Sequence, residues 1–410
     1  MPTLPEISVI IPTYNREQMV CRAVRSVLRQ ATMTVEVLVI DDGSTDGTRV
    51  AVEALTDDRV RYLYQANAGR SAARNRGIDA ATGRFVVFLD SDDALLPDAL
   101  ARLSGILKMD DTVDLVAGGW YVISDDLRQI ETVHPSASTP LDLRAWALDC
   151  PFPIHAAMLR RDCIGDARFD RDAEPSEDWG FWLELARRGT CMRMIADAVA
   201  LYVFHGTNSL MDYPADSQSA AYMLNRFFSL PDLPTEVQSL RNRALARVHL
   251  ARGLRYLDQG KDAVGQLELE QTARLNPGWP TSDWPELVAL CTGVTSSSHG
   301  IRHDAVSLAR KASLAIGTAF LGPGVSGRRL ARRLEAAVAE QRFWRQYHQR
   351  QQSAAVRGLR SMLFLDPRQA LQSRVWRAAA HLLLGHRRLT APDLEQQDRA
   401  RQVAADSLAA

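Results

Sequence analysis

Five short apolar, β-branched runs punctuate the first 120 residues: ISVIIP (7–12), VEVLVID (35–41), VRYLYQ (60–65), RFVVFLD (84–90) and DLVAGGW (114–120). Between them REQMVCRAVRSVLRQ, TDGTRVAVEALT, SAARNRGIDAAT and PDALARLSGIL space their apolar residues along one face of a helix. Runs of that length and composition read as strands, and the strand–helix–strand rhythm predicts an α/β unit. The expected core is a largely parallel, Rossmann-like sheet with helices on both faces. Ligands of such sheets collect at the carboxyl ends of the strands. There the chain places its unusual polar groups: PTYN after the first run, DDGSTD after the second, NAG after the third and DSDD after the fourth.

Near residue 213 the texture changes, and from SQSAAYMLNRFF onward the pattern is almost wholly helical. The expected organisation is therefore an α/β domain over 1–212 and an all-α domain over 213–410. Two stretches of the second half resemble one another, YLDQGKDAVGQLELEQTARLNP ending at Pro277 and YHQRQQSAAVRGLRSMLFLDP ending at Pro367. Each has a polar turn, an Ala-rich amphipathic helix and a closing Leu-Asn/Asp-Pro, so a tetratricopeptide-like (TPR-like) hairpin stands beside a plain helical bundle as a reading. TSSSHG (295–300) and GPGVSG (322–327) read as loops.

Composition narrows the classes. A chain of 410 residues exceeds what one core usually serves, and 46% apolar residues is ordinary for a globular protein. The formal net charge of +0 gives no electrostatic case for a nucleic-acid partner. That zero conceals an arginine excess between Arg302 and Arg377, set against acids in the first half. The 5 cysteines are odd in number, scattered and without CxxC spacing, which fits reduced thiols rather than disulfides or a zinc site. The start MPTLPEISVIIP has no basic region before its apolar stretch, and no run approaches the roughly 18 apolar residues of a spanning helix. The expectation is a cytoplasmic protein, soluble or peripheral at the inner face of a membrane.

Chemistry is densest at FLDSDD. Asp90 and Asp92, one residue apart at a strand end, can point at a single hard cation such as Mg²⁺ or Mn²⁺. The alternative is that Asp92 or Asp93 caps the helix starting near Pro97. Asp41 at a strand tip can accept the N–H of a base, and Tyr14 offers a face for stacking. Arg74 carries a planar donor fork suited to phosphate, or is a solvated arginine on an amphipathic helix. Glu177 and Asp178 open the helix of SEDWGFWLELARRG, where acids suit the helix dipole and where one of them can serve as a general base.

PTYN, DDGSTD, NAGRSAARNRG, FLDSDD, SEDWGFWLELARRG and YVFHGTNS, in that order, resemble the family 2 inverting glycosyltransferases of GT-A fold. The resemblance covers about residues 5–210. It implies a nucleotide diphosphate sugar donor, a UDP-sugar, and a glycan or lipid-linked acceptor in cell-surface glycan, exopolysaccharide or lipopolysaccharide synthesis. It implies donor contacts at Pro12, Thr13, Tyr14, Asn15, Asp41, Arg74, Asp90 and Ser91, with Asp90 holding the ribose or a metal-bound water. Asp92 would be the direct ligand of Mg²⁺ or Mn²⁺, His205 would close over diphosphate and metal, and Asp93 would be left to cap the next helix. Asp178 would be the catalytic base, with Glu177 orienting the acceptor. His155 lies where an acceptor pocket is expected and receives no role.

Two other classes compete. A sugar-nucleotide pyrophosphorylase expects an early glycine-rich loop with trailing Arg and Lys, which SVIIPTYNRE lacks. A non-catalytic helical scaffold with a relic transferase domain would not be expected to keep the set from Asp90 to His205. Neither a P-loop nor GxGxxG is present, which removes kinase and dehydrogenase readings. The basic stretch KASLAIGTAFLGPGVSGRRLARRL suits anionic lipid, an acidic glycan or a protein partner, or is simply a solvated face.

Overall fold

A computed structural model describes residues 5–30, 34–124, 130–133, 141–205, 213–281, 283–296, 305–348, 352–365 and 375. The chain forms two compact units, the first running through Gln238 and the second beginning at Ser239.

The first unit is built on a 9-stranded mixed sheet. Its strands are β1 (Ile7–Thr13), β2 (Val35–Asp41), β3 (Val60–Tyr64), β4 (Phe85–Phe88), β5 (Ala94–Leu95), β6 (Leu115–Ser124), β7 (Ile130–Val133), β8 (Ala157–Arg160) and β9 (Met192–Phe204). Their order across the sheet is β3-β2-β1-β4-β8-β6-β9-β5, with β7 paired to β6. The first four strands are parallel to one another, as the strand–helix rhythm predicts, and the register Ile7↔Val35 to Thr13↔Asp41 brings the ends of β1 and β2 level. Beyond β4 the sheet departs from the expected parallel order: β8 runs antiparallel to β4 and β6, and β5 antiparallel to β9. β5, at two residues, is too short to print a period on the sequence.

Every residue of β1 and β2 is buried, which is why both read as continuous apolar runs. Of the polar residues in them, Ser8 and Glu36 satisfy each other at 2.7 Å, and Glu36 also takes the Thr82 N–H and the Arg61 guanidinium, each at 2.8 Å. Helix α1 (Glu17–Leu28) buries Val20, Val24 and Val27, and α2 (Thr48–Glu53) follows β2. Helix α3 (Arg70–Ala80) lies so close to β1 that a Cβ on Gly77 would fall 2.3 Å from Ile10 Cγ2. Helices α4 (Ala99–Met109), α5 (Leu143–Leu148), α6 (Arg161–Ile164) and α7 (Glu177–Arg187) complete the α/β arrangement. Phe88 of β4 meets Phe169 and Phe181 edge-on, at 5.1 and 5.7 Å between ring centroids, and so ties α7 to the sheet.

The sequence changes texture at residue 213, yet the first unit continues through α8 (Tyr213–Phe228) and α9 (Thr235–Gln238). The reason is packing on α7. Ser219 meets Ser176 at 2.8 Å, and Met223 lies against Gly180, where an added Cβ would be 3.1 Å from Met223 Cγ.

The second unit is helical: α10 (Arg241–Asp258), α11 (Asp262–Leu275), α12 (Trp284–Ser296), α13 (Ala305–Leu321), α14 (Val325–His348) and α15 (Gln352–Leu365). Leu250, Leu254, Leu269, Trp279, Leu287, Ile316 and Leu334 share its main core. α10 and α11 cross closely at glycines, since a Cβ on Gly265 would sit 2.9 Å from the Gly253 carbonyl oxygen. The first of the two similar stretches falls on this hairpin. The second spans the end of α14 and α15 and ends at Pro367, outside the described residues. The expected loop at 322–327 is shorter than its sequence suggests, because α14 begins at Val325. Among the described residues no helix is long and apolar enough to cross a membrane.

Candidate active site

A cavity of about 390 Å³ opens where β1, β2 and β4 end. Pro12, Thr13, Tyr14, Asp90, Ser91 and Asp92 line it, as the sequence leads one to expect, together with Arg16, Asp42, Asp93, Glu174 and Tyr202. Tyr14 is 47% exposed, a ring standing free at the rim. Asn15 does not line the cavity. It joins two loops: its N–H donates to Ser44 Oγ and its Oδ1 accepts from the Thr45 N–H, both at 2.8 Å.

Asp41 lies beneath that surface, fully buried, with Oδ1 accepting from the Ser44 N–H at 2.7 Å and Oδ2 from the Tyr62 hydroxyl at 2.5 Å. Burial, with help from Asp41, pushes the Tyr62 hydroxyl pKa up, so it remains a donor. The cavity is faced instead by the neighbouring Asp42, which sequence reasoning passed over. Its carboxylate accepts from the N–H groups of Ala68 and Gly69, each at 2.9 Å, and so folds the NAG segment over the site. Gly69, at φ 92, occupies a conformation that side-chain-bearing residues avoid, and a Cβ there would meet Glu174 Oε1 at 2.7 Å.

Each acid of DSDD has its own cation-capable partner. Asp90 Oδ1 accepts from Arg74 Nη2 at 2.5 Å. Asp92 Oδ2 accepts from Arg16 Nη1 at 2.6 Å and lies 2.9 Å from His205 Nε2. Asp93 Oδ2 lies 2.8 Å from His155 Nδ1, and its Oδ1 accepts from the Val203 N–H at 2.9 Å. Repulsion among three acids is thus relieved residue by residue. Burial works to raise the Asp92 carboxyl, but the His205 hydrogen bond and the Arg16 charge outweigh it and hold the group at about 2. Burial raises the Asp93 carboxyl, with His155 opposing.

The capping reading of DSDD does not hold. Helix α4 starts at Ala99, its N-cap is Asp98 in a left-handed conformation, and the side chain that accepts a first-turn N–H, that of Leu100 at 3.4 Å, is Gln30 rather than any acid of DSDD. Asp93 instead ties the acid loop to β9 and to His155, which has no role in the expected site. His155 is buried and stacks on Tyr202, with ring centroids 5.6 Å apart.

Arg74 is likewise committed within the protein. Its side chain is 3% exposed and spans Asp90 and Glu177, the latter at 2.6 Å. Burial alone would lower its pKa, yet the two carboxylates raise it. Glu177, 2% exposed, therefore faces Arg74 with its Oε1. Asp178 differs: it keeps some solvent exposure, and among the described residues its carboxylate accepts from the Trp179 N–H at 2.7 Å. Burial and the charge of Glu177 push its carboxyl up to about 7, against the pull of Arg74. A carboxylate titrating near neutrality suits a general base. The N-cap of α7 is Ser176, but both acids stand in its first turn, where Asp178 accepts the Trp179 N–H.

The donor set suits a divalent ion. Asp92 Oδ2 and His205 Nε2, 2.9 Å apart, stand at about the 3 Å separation of neighbouring ligands around an octahedral ion with bonds of roughly 2.1 Å. A second group, Asp90, Asp93 and His155, also brings three ligand atoms within 4.8 Å of one another. The GTNS part of the His205 motif lies outside the described residues.

A half-parallel sheet carrying these acids at its carboxyl edge is a GT-A glycosyltransferase domain. The profile of glycosyl transferase family 2 matches residues 8–166. An uncharacterized glycosyltransferase of Nostoc sp. is 30% identical over 302 residues, 67% of this chain and 89% of the relative. The chain belongs to glycosyl transferase family 2. An uncharacterized glycosyltransferase of Rickettsia conorii is 29% identical over 208 residues, which are 50% of this chain but 34% of that protein, so the chain spans about a third of its length. The GalNAc(5)-diNAcBac-PP-undecaprenol beta-1,3-glucosyltransferase of Campylobacter jejuni is 41% identical over 104 residues, 24% of this chain and 34% of the relative.

Proposed function

We propose that the chain is an inverting glycosyltransferase that moves a sugar from a UDP-sugar to a hydroxyl of a glycan or lipid-linked acceptor. The observation that carries this reading is the cavity at the strand ends lined by Tyr14, Asp42, Asp90 and Asp92, whose acid loop is joined through Arg74 and Glu177 to the neighbouring Asp178, a carboxyl raised by burial and by Glu177. Tyr14 stacks the base, and Thr13 and Asp42 face the rest of the donor. Asp178 takes the proton of the acceptor hydroxyl as its oxygen attacks the anomeric carbon from the face opposite the leaving diphosphate. The new C–O bond forms as the bond to the diphosphate breaks, so the configuration inverts and the proton ends on Asp178.

Asp92 and His205 would hold Mg²⁺ or Mn²⁺, which supplies charge neutralisation to the leaving diphosphate. Arg74 and Glu177 fix the distance between the acid loop and the base and touch neither substrate. The lipid-linked acceptor is favoured by the likeness to the Campylobacter enzyme, whose name specifies an undecaprenol-diphosphate-linked acceptor.

The test is transfer by the full chain from a panel of UDP-sugars in the presence of Mn²⁺, with free and undecaprenyl-diphosphate-linked glycans as acceptors. UDP release and a β-linked product from an α-linked donor, read by NMR, are expected. A product of retained configuration, or transfer from GDP-sugars alone, would overturn the reading.

A further inference from the structure

We propose that Arg16 occupies the cation position between Asp92 and His205 and sets how tightly a divalent ion binds there, an inference that rests on the ion-binding reading of those two residues given above. One charged nitrogen, Arg16 Nη1, lies 2.6 Å from Asp92 Oδ2 and 3.3 Å from His205 Nε2. The same two atoms would hold the ion. A guanidinium and a metal cannot share them, because both neutralise the same carboxylate oxygen from the same open side of the cavity.

Among the described residues, the two arginines hydrogen-bonded to the acid loop differ in whether they can leave. Arg74 is 3% exposed and gripped by two carboxylates, so its departure would strand Glu177 in the interior. The Arg16 side chain is 25% exposed and lines the cavity. Among the described residues, the one further hydrogen bond of its guanidinium is Nη1 to Met19 Sδ at 3.3 Å, a weak acceptor. The main chain beneath is fixed: the Arg16 N–H donates to Thr48 Oγ1 at 3.1 Å, and Asn15 is locked between Ser44 and Thr45. Release is therefore a rotation of one side chain about a held backbone, with no loop to refold. Arg16 also adjoins the Tyr14 rim, so the residue that meets the base and the residue that holds the cation position sit on one short stretch.

Arg16 is a positioning residue in this scheme. It keeps Asp92 and His205 together in the ion-free protein and must yield when the ion arrives. The experiment is Mn²⁺ binding to the full chain without nucleotide, read by loss of the free-ion electron paramagnetic resonance signal, for the wild type, Arg16→Gln and Arg16→Lys. Arg16→Gln is expected to bind Mn²⁺ about tenfold more tightly than the wild type, an easing of about 1.4 kcal/mol. Arg16→Lys, which keeps the charge, should stay near the wild type, and Asp92→Asn should abolish the site in each background.

Equal affinity in wild type and Arg16→Gln, with binding still dependent on Asp92, overturns the proposal for Arg16 and leaves the ion reading standing. Absence of Mn²⁺ binding in every chain, with UDP present and thermal unfolding normal, overturns both. A second readout needs no variant: phenylglyoxal labelling of Arg16, followed by mass spectrometry, should speed up when Mn²⁺ saturates the wild type. Unchanged or slower labelling counts against displacement.

Discussion

Arg74 Nη1 donates to Glu177 Oε1 at 2.6 Å across 103 positions of chain, and neither side chain is more than 3% exposed. Two segments that the sequence presents as separate motifs, SAARNRG and SEDWG, are one interior ion pair. Breaking such a pair from one side leaves a buried charge without compensation. Arg74→Met should therefore cost about 3–5 kcal/mol in urea unfolding. Arg74→Met with Glu177→Leu should recover much of that stability and none of the transfer activity, because Asp90 then loses its anchor.

Asp178→Asn should lower transfer by about 10²- to 10⁴-fold, the usual worth of a general base, with UDP affinity nearly unchanged in calorimetry. In the wild type the rate should rise with pH through about 7, where the Asp178 carboxyl loses its proton. The folding linkage has the opposite sign. A carboxyl raised above its unfolded value favours the folded state most at low pH, and that contribution is lost as pH climbs from about 4 toward 7. Asp178→Asn should flatten this part of the melting-temperature profile.

Gly69→Ala places a side chain where φ is 92 and drives its Cβ to 2.7 Å from Glu174 Oε1. Strain of this kind costs about 1–3 kcal/mol. The wall formed by Gly69 and Glu174 borders the cavity, so the KM for the donor should rise alongside the loss in melting temperature.

Truncation distinguishes where the catalytic unit ends. A chain cut after Gln238 should remain soluble and bind UDP. A chain cut after residue 212 uncovers the face of α7 that Ser219 and Met223 protect, and should aggregate or melt well below the longer fragment. Equal stability of the two fragments would put the boundary at the earlier position.

The strands most legible in the sequence are those buried on both sides. β1, β2 and β4 print apolar runs broken before their polar ends only by Ser8 and Glu36; Thr13, Asp42 and Asp90 at those ends line the cavity, whereas Asp41 lies beneath it. β5, at two residues, is too short to carry a period, and β8 follows the PFPIHA stretch with no turn residue to mark its start. The site was legible as a set of residue types but not as a set of partners. Nothing local to FLDSDD says that Asp93 meets His155 or that Asp90 meets Arg74, and so Asp93 was expected to cap a helix. Arg16 stood beside a motif already noticed, in PTYNR, and its meaning comes only from the folding of β9 back toward α1. Asp42 was passed over for the same reason, since the choice between two adjacent acids depends on which one faces outward at the strand tip.

The short link between β4 and β5 also governs the shape of the sheet. β5 stands four places from β4 in the strand order, roughly 19 Å away at about 4.8 Å per strand if the sheet were flat. Leu89–Asp93 must cover that gap while spending part of its length on a turn closed by the Asp93 N–H to the Asp90 carbonyl at 3.1 Å. It cannot reach across a flat surface, so β8, β6 and β9 must bow to bring β5 within range. The segment behaves as a drawstring pulled taut across an arch. A residue inserted into Leu89–Asp93 would relax that constraint and shift the acids relative to one another.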